Sequence, residues 1–147
     1  MKLNEEKTDK DIQFVSGDVS FMPMLNYHPA RGRNFTEMEI QSAANVAVVG
    51  NDIVLKLSPN QEILGREIKI NGHKFRVIGV TKTRGSMMGQ SMDKFVIVPI
   101  TWALKYFYTD GKNADLMIAL KAPSLEEMEH SKDETIGILR SMRNCKP

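Results

Sequence analysis

Apolar and polar residues alternate through Gly65–Val80 on both sides of an Asn71-Gly72 pair. Ile68 and Ile70 share one face of the first arm, Phe75 and Val77 one face of the second. A tight connection between such arms needs positive φ at its two central residues, which Asn-Gly accepts. The run is predicted to be a β-hairpin, with Gly79 marking a bulge or a close backbone approach. Val46-Ala47-Val48-Val49, closed by Gly50, has no polar side and reads as an inner strand covered on both faces. Phe95 to Val98, ended by Pro99, is a further strand. Asp115 to Lys121 sets Leu116, Ile118 and Leu120 against Met117 and Ala119 and reads as another. Ile12 and Phe14, with Val19 beyond the Ser16-Gly17 break, suit an edge strand.

Helical signals are shorter. Thr36 with Glu39 three positions on is a capping box, in which hydroxyl and carboxylate satisfy first-turn N–H groups reciprocally. Asn51 or Asp52 caps a short helix through Ile53, Val54, Leu55 and Leu57, which ends before Pro59. Thr101 is a fair N-cap for a helix from Trp102 to Tyr108, where the i,i+4 pair Trp102 and Tyr106 suits core packing. Ser124 and Glu127 form a second capping box ahead of Leu125 to Met142. The stripe of that helix (Leu125, Met128, Ile136, Leu139, Met142) is loose, and Glu129 to Glu134 is wholly polar, so it needs a partner. Phe21 to Tyr27 is interrupted by Pro23 and followed by Pro29, which predicts an irregular or partly helical connection. Ser58 to Gln61 is a turn, and Thr81 to Asp93 is the longest loop, with adjacent Met87 and Met88 among small residues. The expected class is α+β, a mixed or antiparallel sheet with short helices. Residues 1–29 form an N-terminal segment, partly disordered through about Asp11 with a candidate edge strand; 30–123 form the core and 124–147 a C-terminal helix.

Composition changes this picture little. Apolar residues make 41% and charged residues 26% of 147, ordinary for a folded chain, and the net charge is +2. Its distribution is uneven: from Arg66 to Lys112 nine Lys or Arg stand against three Asp or Glu. Such an excess suits a solvated sheet face or an anionic partner. No apolar run is long enough to span a bilayer, and the start, Met1 to Asp11, has no apolar stretch for a signal peptide.

Chemistry is sparse. His28, His73 and His130 have no metal-ligand spacing, and Cys145, the single cysteine, has no neighbouring histidine. Gly85 to Gly89 precedes a strand rather than opening a helix and lacks the Gly-Lys-Ser/Thr ending of a phosphate loop. Glu37 and Glu39 face different sides of their helix, so they are no hydrolytic carboxylate pair. Glu126, Glu127, Glu129, Asp133 and Glu134 read as a solvated helix face. Aromatic residues at helical spacing do not make a nucleic-acid platform. No catalytic residue, cofactor or metal is expected, and no nucleic acid partner.

Five segments in order carry a family resemblance: Gly32-Arg33-x-Phe35-Thr36, Val46-Ala47-Val48-Val49-Gly50, Leu64-Gly65-Arg66-x-Ile68-x-Ile70-Asn71-Gly72, Phe75-x-Val77-Ile78-Gly79-Val80 and Val96-x-Val98-Pro99. Together, over roughly residues 30–121, they resemble the extracytoplasmic core domain of MacB-type ABC transporter permeases. The resemblance implies a two-lobed α+β domain between the first two transmembrane helices, of which this chain covers mainly the second part. Its C-terminal helix would then run toward a transmembrane helix missing from this sequence. It further implies a non-enzymatic, mechanical role on the periplasmic or extracellular face of the bacterial membrane. ATP would be hydrolysed by an ATP-binding subunit or domain across the membrane, without direct contact. Implied partners are the parent permease's transmembrane helices, a second copy in a homodimer, and a periplasmic adaptor. A free-standing soluble adaptor or ligand-binding module of the same fold is the alternative. The Thr81–Asp93 loop is the candidate partner contact, through Arg84, Met87, Met88 and Gln90, because loops held by a sheet are common binding elements.

Overall fold

The computed structural model describes residues 12–57, 62–70, 72–107 and 117–143. They run β1 (Gln13–Gly17), α1 (Phe21–Met24), β2 (Pro29–Gly32), α2 (Glu37–Gln41), β3 (Val46–Val49), α3 (Asn51–Leu57), β4 (Glu67–Ile70), β5 (His73–Thr81), β6 (Ser86–Met87), β7 (Gln90–Ser91), β8 (Phe95–Pro99), α4 (Ile100–Tyr106) and α5 (Met128–Met142). This is the expected α+β class. The chain divides into two compact units, Met1–Ala114 and Asp115–Pro147. The expectations for the polar start through Asp11, the Ser58–Gln61 turn, Asn71, Tyr108, Asp115, Leu116 and Cys145 lie outside the described residues. No helix among the described residues is long and apolar enough to cross a membrane.

Six strands of the first unit form one mixed sheet in the order β1-β8-β3-β5-β2, with β4 also on β5. β1 is parallel to β8 and β3 to β5; the other pairings are antiparallel. An all-apolar strand needs partners on both edges and cover on both faces, because its backbone groups cannot turn to water. β3 has all of these, and each of its residues is buried. β1, as expected, takes an edge. Along β5, the Arg76 N–H donates to the Asn45 carbonyl on the β3 side, while Val77 exchanges bonds with Gly65 and Arg66 on the other. β2 and β4 therefore lie end to end along that second edge. The Asn-Gly hairpin of β4 and β5 pairs Ile68 with Phe75 and Ile70 with His73, and Gly72 has φ +88°.

Each face of the sheet has its own core. Ala47, Val49, Phe75, Val77, Val96 and Val98 join Ile53, Val54, Ile63 and Trp102 on one side. Val46, Val48, Ile78, Phe95 and Ile97 join Met22, Phe35 and Ile40 on the other. Strict alternation along β5 would put Val80 with Ile78. A bulge prevents this: Ala47 faces Val77 but Val48 faces Gly79, so Ile78 is the extra residue. The phase resets, and Val80 returns to the Phe75 side. Gly79 is both of the things its sequence position suggested, because a Cβ there would clash with the carbonyl oxygen of Arg33 crossing over it.

Thr36 and Glu39 close the capping box of α2: Thr36 Oγ1 accepts from the Glu39 N–H and the Glu39 carboxylate from the Thr36 N–H at 2.9 Å. Arg33 adds a fork to the same carboxylate at 2.7 and 2.8 Å. That guanidinium, then the Thr36 donors, hold the Glu39 carboxyl at about 2 against an ordinary 4.5. Other local expectations shift. Pro29–Gly32 forms a short edge strand, a place where proline's missing donor does no harm. α3 starts at Asn51, so neither Asn51 nor Asp52 is its cap. Thr101 lies inside α4, which starts at Ile100, and its hydroxyl donates to the Ile40 carbonyl of α2 instead of capping. Trp102 is buried against Phe75, its indole N–H donating to Asn45 at 2.6 Å, but Tyr106 is 44% exposed and is not core.

In the second unit, residues 117–121 form no strand, for they have no ladder partner among the described residues. Ser124 Oγ accepts the Glu127 N–H at 3.3 Å in a turn ahead of the helix, and α5 begins only at Met128 instead of Leu125. α5 buries none of its residues, as its loose stripe implied. Ile118 and Leu120 with Met128, Ile136 and Leu139 border an open apolar groove of about 260 Å³.

Two outcomes are expected. Gly79→Ala lowers stability by about 1–3 kcal/mol through overpacking, read as an earlier urea midpoint with an unchanged slope; an unshifted midpoint would show that the crossing yields freely. Because the Glu39 carboxyl is depressed in the fold, its contribution is present above the ordinary carboxylate range and is lost as pH falls toward about 2. Glu39→Gln is therefore less stable than the parent by about 1 kcal/mol at neutral pH, and the two urea midpoints converge near pH 2.

Candidate functional site

The loop between β5 and β8 is built from its base upward. Asp93 is buried, and its carboxylate accepts the Arg84 N–H at 2.9 Å and the Gly85 N–H at 2.9 Å. Three further bonds brace the neck: the Met92 N–H to the Gly85 carbonyl at 2.9 Å, the Asp93 N–H to Ser91 Oγ at 3.1 Å, and the Ser91 hydroxyl to Asp52 of α3 at 2.5 Å. A buried carboxylate is tolerable when charge-assisted bonds replace its hydration. The Asp93 carbonyl in turn packs where a side chain on Gly50 would have to sit, tying the neck to the end of β3.

Above this base the chain is not an open loop. Ser86 pairs with Ser91 and Met87 with Gln90, making a two-stranded ribbon. Met88 and Gly89 form its tip with φ of +51° and +79°. A two-residue turn of this hand suits the twist of a hairpin, and glycine or asparagine fill it without strain. Methionine in the left-handed region is uncommon and costs energy. Met88 is nevertheless there, 95% exposed.

The four residues expected to make a contact are thus separated by role. Met88 stands at the tip, and Gln90 is exposed on β7 opposite Met87. Arg84 turns back into the fold: its guanidinium lies 4.7 Å from the centre of the Tyr27 ring and donates to the Leu25 carbonyl at 3.4 Å. Tyr27 stacks in turn on Phe95 at 5.0 Å. Arg84 fastens the loop to the turn that follows α1. Sequence reasoning passed over Asp93 and Ser91, single polar residues with no motif. The one available signal was the hairpin spacing around Met88-Gly89.

Elsewhere among the described residues there is little reactive chemistry. His73 lies edge-on to Trp102 at 5.0 Å, while His28 is exposed in the connection before β2 and His130 is exposed on α5. No group of three or more His, Cys, Asp or Glu among the described residues could hold a metal ion.

Comparison with known proteins places this architecture. Residues 2–136 match the MacB-like periplasmic core domain, a longer stretch than the 30–121 over which the five segments resembled it. The macrolide export ATP-binding/permease protein MacB of Chlorobium luteolum is 36% identical over 116 residues, covering 79% of this chain and 17% of that protein. The pyoverdine export ATP-binding/permease protein PvdT of Pseudomonas aeruginosa is 31% identical over 124 residues, covering 82% of this chain and 19% of that protein. The chain thus spans less than a fifth of the length of these relatives. Two solved structures share the fold. The extracellular domain of the noncanonic ABC-type transporter YknZ, from Gram-positive bacteria, superposes with a TM-score of 0.73 at 21% identity, over 97% of this chain and 71% of that one. The periplasmic region of MacB from Actinobacillus actinomycetemcomitans gives 0.63 at 16% identity, over 86% of this chain and 54% of that one. This chain belongs to the MacB-like periplasmic core domain family.

Proposed function

We propose that this domain serves an ABC-type export permease as a non-catalytic extracytoplasmic module, coupling the movement of transmembrane helices to the handling of a partner or substrate. It works on the periplasmic or extracellular face of the membrane, while an ATP-binding subunit or domain across the bilayer supplies the energy. Its contacts are the permease's own transmembrane helices, a second copy in the assembled transporter, and a periplasmic adaptor. The single observation that carries the contact role is the β6–β7 hairpin: an apolar side chain, 95% exposed in a strained turn, on a neck fixed by a buried carboxylate. Strain held in place by its surroundings is characteristic of contact sites. A rigid base transmits force, and a methionine tip adapts to the surface it meets. Met88, with Met87 and Gln90 beside it, makes the contact; Arg84 and Asp93 position it.

The test uses an intact export permease that carries this domain. Met88→Asp is expected to reduce transport several-fold and to abolish a crosslink to the adaptor from a photoreactive residue placed at Gln90, which is exposed on the same hairpin, with expression unchanged. Met38→Asp, at a methionine 77% exposed on α2, serves as control and leaves both at parental levels. Parental transport and crosslinking in Met88→Asp would refute the contact. Asp93→Asn is expected to reduce the crosslink without removing Met88, since it loosens only the neck.

A further inference from the structure

The β4–β5 hairpin has one inward and one outward face. Ile68, Ile70 and Phe75 pack against the core. Glu67, Lys69, Lys74 and Arg76 point the other way and are exposed. In the register of the ribbon Lys69 stands directly opposite Lys74, and Glu67 opposite Arg76. Like charges facing each other across a pair of strands destabilise it. Glu67 relieves this only diagonally, its carboxylate lying 3.3 Å from the Lys74 ammonium. Lys69 and Arg76 are left without an ion pair among the described residues. Arg76 then borders an open cleft of about 290 Å³, lined also by Arg33, Leu64, Val77 and Ile78.

A lysine on an edge strand guards against pairing with another copy of the same strand. That accounts for Lys69. It does not account for a second lysine facing it, nor for a free guanidinium two residues further along.

We propose that this outward face is a docking surface for an acidic, extended segment of a partner protein. Lys69 with Lys74, and then Arg76, are two strand positions apart, about 7 Å. Carboxylates at alternate positions of an extended chain repeat at that same distance. One carboxylate would meet the lysine pair and the next the Arg76 guanidinium, whose planar fork takes a carboxylate bidentately. Glu67 lies on this same face, so the surface is patterned rather than uniformly positive. A polypeptide can match such a pattern, whereas fluid lipid headgroups cannot, and the four side chains established on this face are all charged, with none to enter a bilayer. The surface is distinct from the β6–β7 tip, and Met88→Asp leaves it unchanged.

The test uses the full chain and a fluorescein-labelled peptide of alternating Glu and Ser, about twelve residues long, followed by anisotropy at low salt. Lys69→Gln with Arg76→Gln is expected to weaken binding about tenfold or more. Lys82→Gln with Lys94→Gln, an equal loss of charge elsewhere, should change it less than about twofold. Lys69→Glu supplies a second readout: it removes the like-charge pair, so its thermal midpoint rises while peptide binding is lost. No peptide binding by the parent chain would overturn the proposal, as would equal binding by the two double variants. Vesicles containing phosphatidylglycerol are the third arm; binding to them in place of the peptide, dependent on Lys69 and Arg76, would overturn it in favour of a lipid surface.

Discussion

The first unit depends on β3 being wrapped completely. Val46–Val49 is hydrophobic on both faces, so it cannot lie at an edge or leave either side to water. That requirement puts β5 and β8 beside it and brings a separate helical layer to each face of the sheet. It also explains the bulge at Ile78. β5 must match β3 residue by residue and still deliver Phe75, Val77 and Val80 to one layer and Ile78 to the other, which strict two-residue alternation does not allow. The extra residue solves this, and beside it the Arg33 carbonyl passes so close that a side chain at position 79 would clash with it.

The same wrapping fixes the ends of the strands and therefore what can protrude from them. The loop beyond β5 starts and finishes on buried strands, and Asp93 converts that closeness into rigidity by gathering the N–H groups of Arg84 and Gly85. The hairpin at its end is small, yet it is anchored to α3 through Asp52 and to the body through Arg84 on Tyr27. By contrast the second unit has no such wrapping. Its helix exposes every residue at least in part, and its apolar side chains border a groove open to solvent.

Much of this fold was legible because its strongest signals are local. The Thr36/Glu39 capping box, the Asn71-Gly72 hairpin and the all-apolar run at Val46 each specify their structure within a few residues. What sequence reading missed depends on partners distant in the chain. β2 is ordered by pairing with β5 despite its proline, and 117–121, apolar on both sides as a strand would be, has no ladder partner among the described residues. Thr101 looked like a cap because of its place in the sequence, but a carbonyl sixty-one residues away claims its hydroxyl. The candidate site divides along the same line. Met88 was legible as an apolar residue among small ones, whereas the inward turn of Arg84 is set by Tyr27 and Leu25, and the role of Asp93 by burial.

Trp102 is the single tryptophan of the chain, and it is buried in one layer only, edge to face with Phe75 and bonded to Asn45. Intrinsic fluorescence excited at the indole therefore reports the Phe75 side of the sheet and is blind to the layer around Met22 and Phe35. α5, the longest helix described, supplies the largest single share of the helical residues that far-ultraviolet dichroism reads. Followed together during unfolding, the two signals separate the loss of a packed core from the melting of a helix that buries nothing.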